Sequence, residues 1–211
     1  MFRPYVLRCF LGSALLAVLG AARVVDGDGD GASDIAATIE QLRSALQDLP
    51  RAQGQAAPAQ VIAIVEQVVI PHIDLALAGQ MIMGRHWRAA HPAQRASFID
   101  AYRVLLLRLY AQHALDYLDA DVEFLSTRMS GDGQQQRVRT RVQRAGRPNV
   151  TVDYQMRKRE GKWRVFDAVV NGVSVVITLR QTVSEDISRH GIDAVIDRMR
   201  NKLDAGSRLQ D

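Results

Sequence analysis

Two aspartates, Asp153 and Asp167, are the residues whose type and placement best fit acid–base chemistry. They fall on consecutive predicted strands, where two carboxylates sharing a pocket could act as acid and base in an isomerase- or hydratase-type reaction. They also fit a structural role, in which Asp153 faces solvent or pairs with an arginine and Asp167 bonds near the turn at Asn171. The chain has no nucleophile elbow, no glycine-rich phosphate loop and no helical histidine pair at metal-ligand spacing. We therefore expect no catalytic residue and no enzyme activity, with the pocket enzyme as the alternative.

A second acidic feature is the tract Asp26–Gly31, which reads DGDGDG and imitates the start of a calcium-binding loop. Aspartates stand at positions one, three and five of such a loop, and a glycine stands at position six. The twelfth position, which should supply a bidentate carboxylate, is Ala37. The tract favours a flexible acidic segment, and a calcium-dependent interaction module is the weaker alternative. We expect neither a metal site nor a cofactor.

The first 22 residues are typical of a secretory leader. Arg3 and Arg8 give a positive start, Cys9–Leu19 is apolar, and small residues precede a predicted cleavage near Ala22. Cys9 is the only cysteine, so the exported protein would contain no disulfide. An exported chain without disulfides favours a bacterial periplasm.

Length and charge restrict the function further. The 211 residues are 47% hydrophobic and 24% charged, which is typical of a folded globular chain. The formal net charge is only +4, and loss of the two leader arginines lowers it to +2. Such a weak charge, without a recognition motif, argues against a nucleic-acid partner.

Helical periodicity dominates the chain before residue 120. Ser33 is a predicted N-cap for a first helix that ends before Pro50, and a second helix is broken by Pro71. A third helix over 74–83 is closed by Gly84. Pro92 opens the longest helix, where Gln94 stands at the capping-box position.

The period then changes to two, which predicts four strands over 121–129, 135–144, 149–158 and 162–170. Their short connections allow only antiparallel neighbours. In the last strand Trp163, Val165 and Val169 are predicted on one face, interrupted by Asp167, and the strand ends at Asn171. Val173 is predicted to begin a C-terminal helical segment, and a final helix follows Gly191.

The order of helices, a four-stranded antiparallel sheet and further helices predicts one α+β domain. The predicted organisation is a leader over 1–22, an acidic N-terminus with the first helix over 23–57, a main domain over 58–204 and a tail over 205–211. Helices that are apolar over most of their surface either form a thick core or line a cavity. Periodicity alone does not separate these two possibilities.

Four ordered runs between Val61 and Leu203 resemble one family, the periplasmic phospholipid carriers of the Mla lipid-asymmetry pathway, also called toluene-tolerance auxiliary proteins. The runs begin at Ile70-Pro71-His72, at Pro92-Ala93-Gln94-Arg95, at Gly146-Arg147-Pro148 with the strands that end in Trp163–Ser174, and at His190-Gly191-Ile192-Asp193. Departures are local: His72 stands where a tyrosine or phenylalanine is usual, Asn171 where an acidic residue is common, and Leu179 where a tyrosine is frequent.

The resemblance implies a curved antiparallel sheet wrapped by N- and C-terminal helices around an apolar pocket, similar to nuclear-transport-factor-like folds. By positional match with the family, Tyr110 and Val173 are expected to line that pocket. Strand faces and neighbours add Leu106, Tyr154, Phe166 and Val169. The resemblance also implies phospholipid as cargo, although a hopanoid or another polycyclic lipid fits an apolar pocket equally well.

The implied partners are an outer-membrane lipoprotein–porin complex and an inner-membrane ABC transporter complex with its lipid-binding subunit. Four arginines near the expected pocket mouth are candidates for contact with a lipid head group or an acidic partner surface, and they equally fit a solvated face. These are Arg85, Arg88, Arg95 and Arg147.

Overall fold

The sheet confirms the predicted α+β class and its antiparallel meander. The computed structural model describes residues 21–23, 30–49 and 58–201. Six strands lie in the order β1-β2-β3-β4-β5-β6, where β1 is parallel to β2 and all other neighbours are antiparallel. They span Ala21–Arg23, Asp121–Met129, Gln135–Gln143, Val150–Arg159, Lys162–Val170 and Val173–Ser174.

Seven α-helices are present in the part of the chain that the structure describes. In chain order, α1 to α7 span Asp30–Gln47, Pro58–Val68, Leu75–Met83, His86–Ala89, Pro92–His113, Val175–His190 and Ile192–Asn201. Short 3₁₀ turns at Ile70–His72 and Ala114–Tyr117 follow α2 and α5. No helix among the described residues is long and apolar enough to cross a membrane.

The described residues form two compact units that alternate along the chain. The first contains the residues up to Ile73 and Leu109–Val175, and the second contains Asp74–Arg108 and the residues from Val176 onward. The long helix α5 therefore begins in the second unit and ends in the first.

In the first unit, α1 and α2 pack together and α1 lies against the sheet. At Gly31 the helix lies so close to the Gln136 side chain on β3 that there is no room for a Cβ atom. One stripe of α1 supplies Ile39, Leu42 and Leu46, which are fully buried. Burial of such a stripe contributes more to helix stability than intrinsic propensity does.

In the second unit, side-chain hydrogen bonds join the helices. Gln94 at the start of α5 accepts from the His91 backbone N–H, as the half capping box predicts, and donates to Asp193 on α7. Gly79 on α3 lies directly against Ile99 on α5. Asp74 caps α3 by accepting from the Leu77 backbone N–H at 2.9 Å.

Several local predictions need correction. Helix α1 begins at Asp30, so Ser33 lies inside the helix and is not its N-cap. Val173 and Ser174 form strand β6 and do not begin a helix. The cause is the two-residue turn at Asn171 and Gly172, whose φ angles of 46° and 86° suit a type I′ hairpin and return the chain along β5.

A β-bulge changes the faces predicted for β5. The register passes from Gln155 opposite Asp167 to Met156 opposite Val165, which leaves Phe166 without a partner across the ladder. The bulge places Trp163 and Val165 on the same face as Ala168 and Val170. The predicted grouping of Trp163 and Val165 with Val169 is therefore wrong.

Candidate functional site

One face of the sheet is closely packed, and we call it the buried face; of the residues predicted to line a lipid pocket, Tyr154 and Val173 lie on it. On β3 the side chains of this face are Val138, Thr140 and Val142. Strand β4 pairs with β3, and β5 pairs with β4, so the face continues across all three strands. Each of its central side chains is less than a tenth exposed; these are Val138, Thr140, Val142, Val152, Tyr154, Met156, Trp163, Ala168 and Val170. The opposite face, which we call the polar face, carries Arg137, Arg139, Arg141, Asp153 and Asp167.

Tyr154 and Thr140 bring two hydroxyl groups to the centre of the buried face. The Tyr154 hydroxyl is buried and makes no hydrogen bond of acceptable geometry to any residue that the structure describes. The neighbouring Thr140 hydroxyl donates instead to the Val152 carbonyl, at 3.2 Å. Burial raises the pKa of Tyr154 far above its ordinary value of 10, and the nearby Thr140 hydroxyl opposes this shift only in part. The phenol is therefore neutral.

Val173 lies at the edge of the sheet and pairs with Val170. It is 41% exposed, whereas Val170 is 2% exposed. An apolar side chain is therefore accessible at this edge of the sheet, beside a buried neighbour.

The other predicted pocket residues do not share this face. Val169 pairs with Asp153 and Ser174 on the polar face, opposite to Tyr154. Phe166 occupies the bulge and is half-buried. Tyr110 is buried in the first unit, and Leu106 is buried in the second. The structure therefore brings Tyr154 and Val173 to one face and leaves Val169 on the other.

The candidate acid–base pair, Asp153 and Asp167, occupies diagonal positions on the polar face, and each carboxylate has a structural partner. Arg139 lies 3.3 Å from Asp153, and the Ser174 hydroxyl donates to Asp167 at 2.6 Å. These contacts match the structural role considered for both residues. Asp26 and Asp28 of the acidic tract lie outside the described residues, among which no cluster of metal ligands occurs.

The four candidate arginines differ in their hydrogen bonds and in their exposure to solvent. Arg95 donates to the Trp87 carbonyl at 2.9 Å and stacks over the Trp87 ring at 5.3 Å, which ties α5 to α4. Arg88 is exposed on α4, and Arg147 is exposed in the turn between β3 and β4 of the first unit. Arg85 donates to the Ser188 hydroxyl on α6 at 3.1 Å.

Arg85 also lines a groove that sequence patterns did not predict, which we call the α6 groove. It lies within the second unit and has a volume of about 720 Å³. The outward stripe of α6 forms most of its lining, including Ile177, Arg180, Gln181, Ser184 and Ser188. In the sequence this stripe is typical of an ordinary solvated helix face. The close approach of Arg180 to Gly84, which the missing Cβ atom of the glycine allows, is not visible there.

Comparison with known proteins decides the family. The MlaC protein family model matches residues 36–201, which is most of the chain. This chain belongs to the MlaC family. A curated member, the intermembrane phospholipid transport system binding protein MlaC of Haemophilus influenzae, is 26% identical over 139 residues. That alignment covers 64% of this chain and spans 65% of the Haemophilus protein's own length.

The fold is also that of a solved protein. A phospholipid-binding protein from Ralstonia solanacearum, determined in complex with a phospholipid, superimposes with a TM-score of 0.71 at 24% identity. The match covers 80% of this chain and 94% of the Ralstonia chain. The likeness confirms the α+β fold predicted for this MlaC family member.

Proposed function

We propose that this protein is a non-enzymatic lipid carrier, which encloses the acyl chains of a phospholipid and carries it across the periplasm. Membership of the MlaC family over residues 36–201 is the observation that carries the proposal. The family relative in Haemophilus is named as a phospholipid transport binding protein, and the Ralstonia structure holds a phospholipid. Export through the predicted leader, with cleavage near Ala22, is part of the same proposal.

The energetics of acyl chains explain why such a carrier must enclose them. Burial of one methylene is worth about 0.8 kcal/mol, so two chains with roughly thirty methylenes carry about 24 kcal/mol of exposure cost in water. A polar head group carries no comparable cost and can remain in solvent. The buried face offers mainly apolar side chains for this purpose, and the Tyr154 hydroxyl at its centre is uncharged.

The proposed route runs between an outer-membrane lipoprotein–porin complex and an inner-membrane ABC transporter complex with its lipid-binding subunit. Phospholipid is the proposed cargo. Lipid extraction from protein purified out of a bacterial periplasm, with identification by mass spectrometry, tests this choice directly. Recovery of a hopanoid in place of phospholipid would show that the proposed cargo is wrong. A lipid-free protein would contradict the proposal that the protein carries lipid.

The substitution Val173→Glu tests whether β6 borders the lipid. Val173 is 41% exposed, so a carboxylate there is solvated when no lipid is bound and the fold should remain intact. If lipid covers Val173, the charge would face hydrocarbon at a cost of several kcal/mol, and bound lipid should fall roughly tenfold or more.

The matched control is Met129→Glu, which adds the same charge at another exposed apolar residue of the sheet, 51% exposed at the end of β2. Its lipid content should equal that of the unmodified protein. Circular dichroism melts and extracted lipid per protein are measured for both. If the Val173→Glu protein is folded and retains its full lipid content, bound lipid does not cover Val173.

A further inference from the structure

The α6 groove carries positive charge that its own residues do not neutralise. Among the described residues, Arg85 donates to the Ser188 hydroxyl at 3.1 Å and to the His86 ring at 3.4 Å, and it has no carboxylate partner. Arg180 makes no hydrogen bond or ion pair within the part of the chain that the structure describes. The groove's carboxylate, Glu185, already pairs with Arg189 on the same helix. Two guanidinium groups therefore face the groove without a counter-charge from its lining.

The two arginines lie near one another at the junction between α3, α4 and α6. Gly84 ends α3 with a φ of 54°, and a Cβ atom there would lie 2.7 Å from the Arg180 Nε atom. The Arg180 side chain therefore lies against the residue that precedes Arg85. His86 and Ser184 lie 3.2 Å apart and hold α4 against α6. A site held in this way loses little conformational entropy when a ligand binds.

The groove also presents an apolar side chain. Ile177 is 55% exposed, the largest exposure among the described large apolar side chains. From Ile177 to Ser188 the stripe runs for about 16 Å along α6, given a helical rise of about 1.5 Å per residue. An extended segment of about five residues has the same length. Uncompensated guanidinium groups and an exposed isoleucine thus lie along a path that suits a peptide segment.

We propose that the α6 groove docks an acidic, extended segment of a partner protein, with carboxylates toward Arg85 and Arg180 and an apolar side chain against Ile177. A membrane surface fits less well, because a single exposed isoleucine offers little apolar area for insertion. A lone phosphate would occupy only a fraction of the groove. The proposal goes beyond lipid carriage, since docking can be measured whether or not the protein holds lipid.

The test uses the full chain and a fluorescent synthetic peptide with four glutamates around one leucine. Fluorescence anisotropy should show binding that weakens at high salt, and a peptide with glutamines in place of the glutamates should not bind. Arg180→Glu should weaken binding roughly tenfold or more, and Ile177→Ser by a few-fold. Both side chains are exposed, and circular dichroism verifies that the variants are folded. The matched control Arg128→Glu reverses an exposed charge on β2 and should leave binding unchanged.

Each other outcome overturns the proposal. Absence of peptide binding at low salt does so, as does an equal loss in Arg180→Glu and Arg128→Glu. If inorganic phosphate displaces the peptide at the same concentration of negative charge, the groove is a small-anion site. Binding to phosphatidylglycerol vesicles but not to the peptide indicates a membrane surface. Lipid content is measured separately for every variant, so a failure of docking is distinguishable from a failure of lipid carriage.

Discussion

Tyr154 shows how one polar atom can cost stability inside an apolar face. Its buried hydroxyl lacks a hydrogen-bond partner among the residues that the structure describes, and an unsatisfied buried hydroxyl costs about 1–3 kcal/mol. We expect Tyr154→Phe to raise the free energy of unfolding by about 1 kcal/mol and the melting temperature by about 2–4 °C. Thermal and urea unfolding measure the change.

Bound lipid provides a second measurement on the same variant. A phenylalanine keeps the apolar ring, so Tyr154→Phe should retain as much lipid as the unmodified protein. A variant that is less stable, or that loses lipid, would show that the hydroxyl makes a favourable contact in the lipid-bound protein.

His72 makes stability depend on pH. Burial lowers the pKa of His72 below its ordinary value of 6.5; Asp34 opposes this shift, whereas Arg164 and Lys162 add to it. As the pH falls below about 6.5, the unfolded chain therefore binds a proton before the folded protein does. The free energy of unfolding should fall over that range, as the pH passes down through the lowered pKa.

Replacement of His72 should remove this component. Urea unfolding of His72→Phe at about pH 7.5 and about pH 5.5 should show a smaller loss of stability on acidification than in the unmodified protein. His72→Gln, which stays polar but does not titrate, should show the same reduction. An unchanged pH dependence in both variants would assign the effect to other groups.

At the scale of elements, the junction between α3 and α4 depends on Gly84. Its φ of 54° and ψ of −123° are accessible to glycine but strained for other residues. Gly84→Ala should lower the free energy of unfolding by about 1–3 kcal/mol, and its Cβ atom would also displace Arg180. The matched control Gly131→Ala adds a Cβ with no atom within 4 Å in an exposed turn, and its urea midpoint should barely change.

At the scale of the whole molecule, neither compact unit is a continuous piece of chain. The chain passes between the units after Ile73, after Arg108 and after Val175. A fragment over 109–175 would retain four long strands but lose α1, whose Ile39, Leu42 and Leu46 are fully buried. Lipid binding and peptide docking therefore have to be measured on the full chain.

The sequence by itself determined the four long strands, the longer helices and the family. Strand ends agree with the predicted ones within one residue, because hydrophobic periodicity, glycine turns and proline breaks act locally along the chain. Val138, Thr140 and Val142, which alternate with arginines along β3, are buried for the same reason. The four ordered runs pointed to the family that the family model matches.

Only the tertiary structure decided which side chains share a surface. The bulge at Phe166 separates Val169 from Trp163, because one unpaired residue inverts a strand's alternation and depends on the register with β4. The α6 groove likewise joins Arg180 to Gly84 and Arg85, about a hundred residues apart. Local pattern carries no information about such contacts, since packing of distant segments creates them.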